Sequence, residues 1–209
     1  MSKLYLELLD SKRKEVFLKL ATFKKLGVLG GGTAISLQLG HRRSFDFDLL
    51  LTAPIKKTLL RDVANHFSAN RVEPQVDTID ELTVVLDKEV KLTFLHFPFK
   101  SLHAEVKTEG LSLANVKDLA SNKAYAIGRR GTWRDYVDLY FLIKNGKLSL
   151  MKIIEEAKKR FGGNFSERLF LEQLTYFGDI DDFTIDFAKE TIPTDKIKNF
   201  LEREVRTIL

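Results

Sequence analysis

The chain of 209 residues has no cysteine. That absence excludes a disulfide framework, thiol catalysis and cysteine-based zinc sites, and it fits a reducing compartment. Histidine is scarce, with 4 residues, and none stands at ligand spacing from a carboxylate pair. No apolar run approaches the roughly 18 residues a membrane span needs. The first ten residues, MSKLYLELLD, carry acids within their apolar pattern and no signal-peptide core, so the expected location is the cytoplasm, without membrane association. No G-x-x-x-x-G-K-[ST] run, no G-x-G-x-x-G spacing and no G-x-S-x-G elbow occurs, which argues against P-loop, Rossmann and serine-hydrolase chemistry.

Phenylalanine, by contrast, is abundant at 16 residues, within a composition 44% hydrophobic and 30% charged. Such a chain folds and buries a sizeable aromatic core. A net charge of +5 permits a polyanionic partner without requiring one.

The informative stretch is residues 26–50, LGVLGGGTAISLQLGHRRSFDFDLL. Val28 and Leu29 begin a strand. Gly30, Gly31 and Gly32 turn the chain, and a short helix is expected from Thr33 to Leu39. A basic turn, Gly40 to Arg43, leads into a second strand. Side chains alternate along a strand, so Asp46 and Asp48 share one face, and Phe45, Phe47 and Leu49 take the other, towards the core. Two carboxylates about 6–7 Å apart can hold Mg²⁺ or Mn²⁺. The glycines let backbone approach a ligand closely, and the free N–H groups of the helix that follows suit a phosphate. A nucleoside triphosphate satisfies both halves of this arrangement.

The remaining periodicity gives an amphipathic helix or two over Lys3–Lys25 ending at Gly27, and a helix over Ile55–Asn70. An edge strand with Pro74 and a hairpin, Leu82–Leu86 and Val90–Phe97, turning at Asp87–Glu89, follow. From Val116 the pattern is helical. Asn115 caps a helix to about Ile127, Gly128–Gly131 interrupts it, and a well-buried helix runs from Trp133 to Ile143. Further helices are expected over 150–161, 166–177 and 197–208, with Ser149 and Ser166 as caps. The fold class is α/β (α+β): a mixed sheet with flanking helices over 1–114, then a helical domain over 115–209, with the site in the cleft between them.

Asp135 and Asp138 lie one turn apart on the buried helix and need cationic partners, for which Lys123, Arg130 and Arg134 are the candidates. One reading makes these acids essential to the reaction. The other makes them an ion network that locks two helices.

GGGTAISLQLGHRRSFDFDLL resembles the opening motif of the AbiEii/AbiGii toxins, a family of the polymerase-β-like nucleotidyltransferases. DLASNKAYAIGRRGTWRDYVDLYFLI is similar to that family's second signature. The resemblance runs roughly from Gly30 to Asp182. It implies a nucleotidyltransferase-like sheet domain and transfer of a nucleotide from a nucleoside triphosphate. Its implied catalytic residues are Asp46, Asp48, Lys123, Asp135 and Asp138, with Mg²⁺ (or Mn²⁺) on Asp46 and Asp48. Gly31, Gly32, Thr33, Arg43 and Arg130 are the expected nucleotide-binding residues, with Lys123 on the phosphates. It also implies an RNA acceptor such as a tRNA 3′ end, or a protein acceptor, and an antitoxin partner. The chain departs from the family pattern at Thr93, where a third carboxylate is expected; Asp87 and Glu89 stand in the adjacent turn. That departure keeps open a second reading, a catalytically lapsed nucleotide-, RNA- or protein-binding module.

Overall fold

The computed structural model describes residues 4–208, apart from the side chain of Arg130. Strands β1 (Gly27–Leu29), β2 (Phe47–Leu51), β3 (Val72–Asp77), β4 (Glu81–Leu86) and β5 (Val90–His96) form one mixed sheet in the order β1-β2-β5-β4-β3. Only the β2–β5 pair is parallel. Helices α1 (Ser11–Lys19), α2 (Gly31–Leu39) and α3 (Leu59–His66) accompany the sheet. All described strands precede Phe97, and α4 (Val116–Arg130), α5 (Trp133–Lys144), α6 (Leu150–Phe161), α7 (Glu167–Gln173) and α8 (Thr194–Arg206) follow. One hydrophobic core joins both halves, from Phe17, Phe47 and Phe94 to Tyr136, Tyr140 and Phe170. No described helix is long and apolar enough to cross a membrane.

Local chemistry accounts for the element ends. Asp10 caps α1 by accepting from Arg13 N at 2.8 Å, and Ser149 and Ser166 accept from the third residue of α6 and α7. Asn115 caps α4, accepting from Lys117 N at 3.1 Å. The Asp87–Lys88 turn has positive φ at both residues, the backbone a tight hairpin requires. Pro74 lies in edge strand β3 beside a bulge, where its missing N–H does no harm.

Several expectations are corrected. The amphipathic stretch before β1 is two 3₁₀ turns around one short α-helix, and Gly27 opens β1 instead of ending a helix. Helix α3 is half the expected length, and α2 begins at Gly31, two residues before Thr33. Helix α4 continues through Gly128, which lies against Phe170 of α7. Phe45 is 43% exposed instead of buried. It precedes β2, and the Arg13 guanidinium lies 4.9 Å over its ring.

After α7 the chain returns to the basic turn as a strap. Phe187 bridges Arg42, Arg43 N donates to Asp186 O at 2.8 Å, and Ala188 N donates to His41 O at 3.1 Å.

Candidate active site

The carboxylates sit where β1, β2 and the start of α2 converge. Gly30 N donates to Asp48 O at 2.7 Å, tying the glycine turn to β2. Gly31 has φ +63°, and a Cβ there would collide with Asp48 Oδ2. Both conditions require glycine. Gly31→Ala is therefore expected to destabilise the fold by about 1–3 kcal/mol and to displace Asp48. Thermal unfolding and a nucleotide-binding titration read the two effects.

Thr33 lies beneath this turn. It is buried, and its Oγ1 donates to Asp46 O and lies 2.9 Å from Ser44 Oγ. Thr33 thus positions Asp46 and is not part of the cleft wall. Asp46 and Asp48 open onto a cleft of about 630 Å³ shared with Gly31, Gly32, Lys123 and Asp135. The opposite wall comes from α4 and the start of α5, so residues about 75–90 positions apart in sequence face one another there.

Burial raises the pKa of Asp48, neighbouring Asp46 and, more weakly, Glu81 add to the rise, and Lys123 and Lys91 oppose it. This is excess negative charge in a partly dry place, and it fits a dication. Among the described residues no cluster of three or more metal-ligating side chains occurs. Two hard oxygen donors, with phosphate oxygens and water completing the shell, is the pattern Mg²⁺ accepts.

Lys123 crosses from α4 to α5. Its Nζ lies 2.6 Å from Asp135 Oδ1 and 2.8 Å from Asp138 Oδ2. Burial alone would lower its pKa, but Asp138 and Asp135 more than offset that, and the ammonium stays charged. Asp135 also caps α5, accepting from Thr132 N at 2.8 Å through Oδ2.

Asp138 takes the second of its two expected places, in a buried ion network. It is wholly buried and absent from the cleft lining. It accepts from Arg42 Nε at 2.7 Å and Nη2 at 2.9 Å, and from His41 Nε2 at 2.8 Å, besides meeting Lys123. Burial would raise its pKa, yet Lys123, Arg42 and His41 hold it well below the usual carboxylate range. Burial also pushes the pKa of His41 down, so His41 is neutral near pH 7. Asp138 thus holds Arg42 and Lys123, which line the cleft, from behind its wall.

The remaining expected residues divide. Arg43 points away, paired with Asp186 at 3.2 Å beside a second cavity that shares Asp46 with the main cleft. Arg42, the neighbour of the expected Arg43, lines the main cleft, together with Ser44, Asn122, Tyr125, Arg129 and Arg134. Arg130 ends α4, and its side chain lies outside the described residues. Thr93 is the β5 partner of Asp48, and Thr83 is its partner on β4. Thr83 Oγ1 donates to Glu81 Oε1 at 2.7 Å. Asp87 is spent on the hairpin, where Asn70, Arg71 N and Lys12 lower its pKa to about 2. Glu89 pairs with Lys12 at 2.8 Å.

Residues 16–209 match the family described as nucleotidyl transferase AbiEii toxin, type IV toxin–antitoxin system. The chain belongs to the AbiEii family. An uncharacterized protein of Aquifex aeolicus is 30% identical over 190 residues, 87% of each chain. Two solved structures share the fold. The JHP933 protein of Helicobacter pylori superposes with a TM-score of 0.56 at 17% identity, over 96% of this chain and 93% of its own. MenT4, a nucleotidyltransferase toxin of Mycobacterium tuberculosis, gives 0.57 at 13% identity, over 96% and 86%. The AbiEii match takes in the DxD strand, Lys123 and the strap alike.

Proposed function

We propose that this AbiEii-family chain is a Mg²⁺- or Mn²⁺-dependent nucleotidyltransferase. It would move a nucleoside monophosphate from a nucleoside triphosphate to an RNA acceptor, such as a tRNA 3′ end, or to a protein. It would act in the cytoplasm as the toxin half of a pair, held in check by an antitoxin protein. The observation that supports this reading is the single cleft into which Asp46, Asp48, Gly31, Gly32 and Lys123 all open.

In this reading Asp46 and Asp48 hold the metal, which when bound supplies positive charge against the phosphate oxygens. Backbone N–H groups at Gly31 and Gly32 receive the triphosphate at the start of α2. Lys123, held by Asp135 and Asp138, presents a fixed ammonium to the charge that develops on the phosphate. The acceptor hydroxyl oxygen bonds to the α-phosphorus and gives its proton to solvent, the bond from the α-phosphorus to the α,β-bridging oxygen breaks, and pyrophosphate leaves. Most of the acceleration comes from positioning and preset charge.

The lapsed-module reading draws on Thr93, a neutral residue beside Asp48 where the family pattern leads to an acid. One assay separates the two. The purified protein is incubated with each α-labelled nucleoside triphosphate, Mg²⁺ and total tRNA. Label in RNA with the parent chain and none with Asp46→Ala supports the transferase. Undiminished labelling by Asp46→Ala removes the metal-site assignment. Retained nucleotide binding with no label in RNA or protein favours the module.

A further inference from the structure

Two cavities meet at the carboxylates. Beyond Asp48 along β2 the main cleft turns apolar, at Leu50, Leu95, Phe97 and Tyr125. Past Asp46, at the other end, lies the second cavity, of about 250 Å³. Arg42, Ser44, Asp46 and Arg134 line both. Gly31, Gly32, Asp48 and Lys123 line the main cleft and not the second cavity, whereas Phe45 and the strap residues Asp182 and Ile185 line the second cavity and not the cleft.

In phosphoryl transfer the attacking and leaving oxygens stand roughly in line through the phosphorus. With the triphosphate over Gly31, Gly32 and Lys123, the attacking hydroxyl needs a separate way in, one that ends beside a metal-holding carboxylate. Asp46 is the carboxylate of the pair that is open to both cavities.

The chemistry of the second cavity selects the acceptor. Most of its charges are already engaged. Arg42 Nε donates to Asp138 at 2.7 Å, Arg43 Nη1 lies 3.2 Å from Asp186 Oδ1, and Asp182 Oδ1 accepts from Thr184 N at 2.8 Å. Arg134 makes no hydrogen bond or ion pair among the described residues and meets Asp182 only through longer-range attraction. A guanidinium so placed, at the junction of the two cavities, suits a phosphate diester. Phe45 keeps 43% of its surface exposed, and Ile185 shares this wall with it, which gives a base an apolar surface to pack on. A nucleotide joins a phosphate to a flat base. A serine or threonine hydroxyl of a protein carries neither.

Resting on the nucleotidyltransferase reading above, we infer that the second cavity is the acceptor site and takes the terminal nucleotide of an RNA strand. Its base packs on Phe45 and Ile185, a phosphate of the strand meets Arg134, and the terminal ribose hydroxyl reaches the α-phosphorus past Asp46. The hydroxyl oxygen joins that phosphorus, its proton goes to solvent, and pyrophosphate leaves on the main-cleft side.

The labelling assay, run as steady-state kinetics of the full chain with total tRNA and the nucleoside triphosphate it accepts, tests this. Phe45 and Arg134 are both exposed, so neither substitution threatens the fold. Phe45→Ala should raise KM for tRNA about tenfold, the scale of one lost base–aromatic stack, and leave KM for the nucleoside triphosphate at the parent value. Phe45→Tyr, which keeps the ring, should behave as the parent. Arg134→Gln should raise KM for tRNA by a similar factor and make it less sensitive to salt. tRNA whose terminal diol has been oxidised by periodate should take no label, and label on it would overturn the terminal placement. A KM for tRNA unmoved in both Phe45→Ala and Arg134→Gln, at the parent melting temperature, overturns the acceptor site. Label in protein and not in RNA overturns the RNA assignment and leaves the transferase reading standing. No label from any nucleoside triphosphate removes the transferase reading, and the acceptor site with it.

Discussion

Asp48→Asn is expected to reduce nucleotide transfer by about a thousandfold while making the protein more stable. The activity loss follows from removing one of two carboxylates that would hold the dication, on the scale of deleting a preset electrostatic group. The stability gain follows from the raised pKa of Asp48. A carboxyl group raised on folding contributes stability below its unfolded value of 3.8, and loses it as pH rises through the folded value. At neutral pH the parent chain therefore carries a repulsive, partly desolvated carboxylate that asparagine relieves. A gain of about 1 kcal/mol is the usual scale for easing a functional site. It should vanish below pH 3.8. Chemical denaturation across pH, alongside the labelling assay, checks both halves. A destabilised variant would mean that Asp48 is held by attractions absent from the geometry described above.

Asp138→Asn should have the opposite signature, a loss of about 3–5 kcal/mol. Arg42, Lys123 and Asp138 are all buried, and the carboxylate is the charge that His41 Nε2, Arg42 and Lys123 share. Without it two cations remain in the interior with only Asp135 nearby. For a chain of this size the melting temperature should fall by about 10 °C. Since the folded pKa of Asp138 is depressed, its contribution is complete above the ordinary value of 3.8 and fades as pH falls towards the folded one. The gap between parent and variant should narrow over the same range. A variant that loses activity at unchanged stability would return Asp138 to a direct catalytic role.

The parts of the site legible in sequence are those with a local period. Alternation read Asp46 and Asp48 onto one face, and both do line the cleft although Asp46 stands one residue before β2; contiguous glycines marked a close approach, and the three-residue spacing of Asp135 and Asp138 marked one helix face. Parity said nothing about the turn before β2, where successive arginines diverge: Arg42 turns in to Asp138, and Arg43 turns out to Asp186. That choice is made by α5 and by the strap, roughly a hundred and more residues downstream. Phe45 misled for a related reason, since alternation counts only once the strand has begun, and β2 begins at Phe47. Gly128 looked like a break because a glycine inside a helix and one that ends a helix read alike. The apolar end of the cleft had no motif at all. It arises because Leu95 of β5 lies alongside Leu50, with Phe97 just past the strand end, and Asn122 and Tyr125 of α4 line the same cleft.

The strap has a bearing on biosynthesis. Residue 188 is added on the order of ten to thirty seconds after residue 48 at about 5–20 residues per second. Until then His41, Arg42 and Arg43 lack the backbone partners at Asp186, Phe187 and Ala188 that hold their turn. A nascent chain on the ribosome thus presents both carboxylates before the basic turn beside them is clamped. For a chain of the AbiEii family, that is an interval in which the product is present but its candidate site is incomplete.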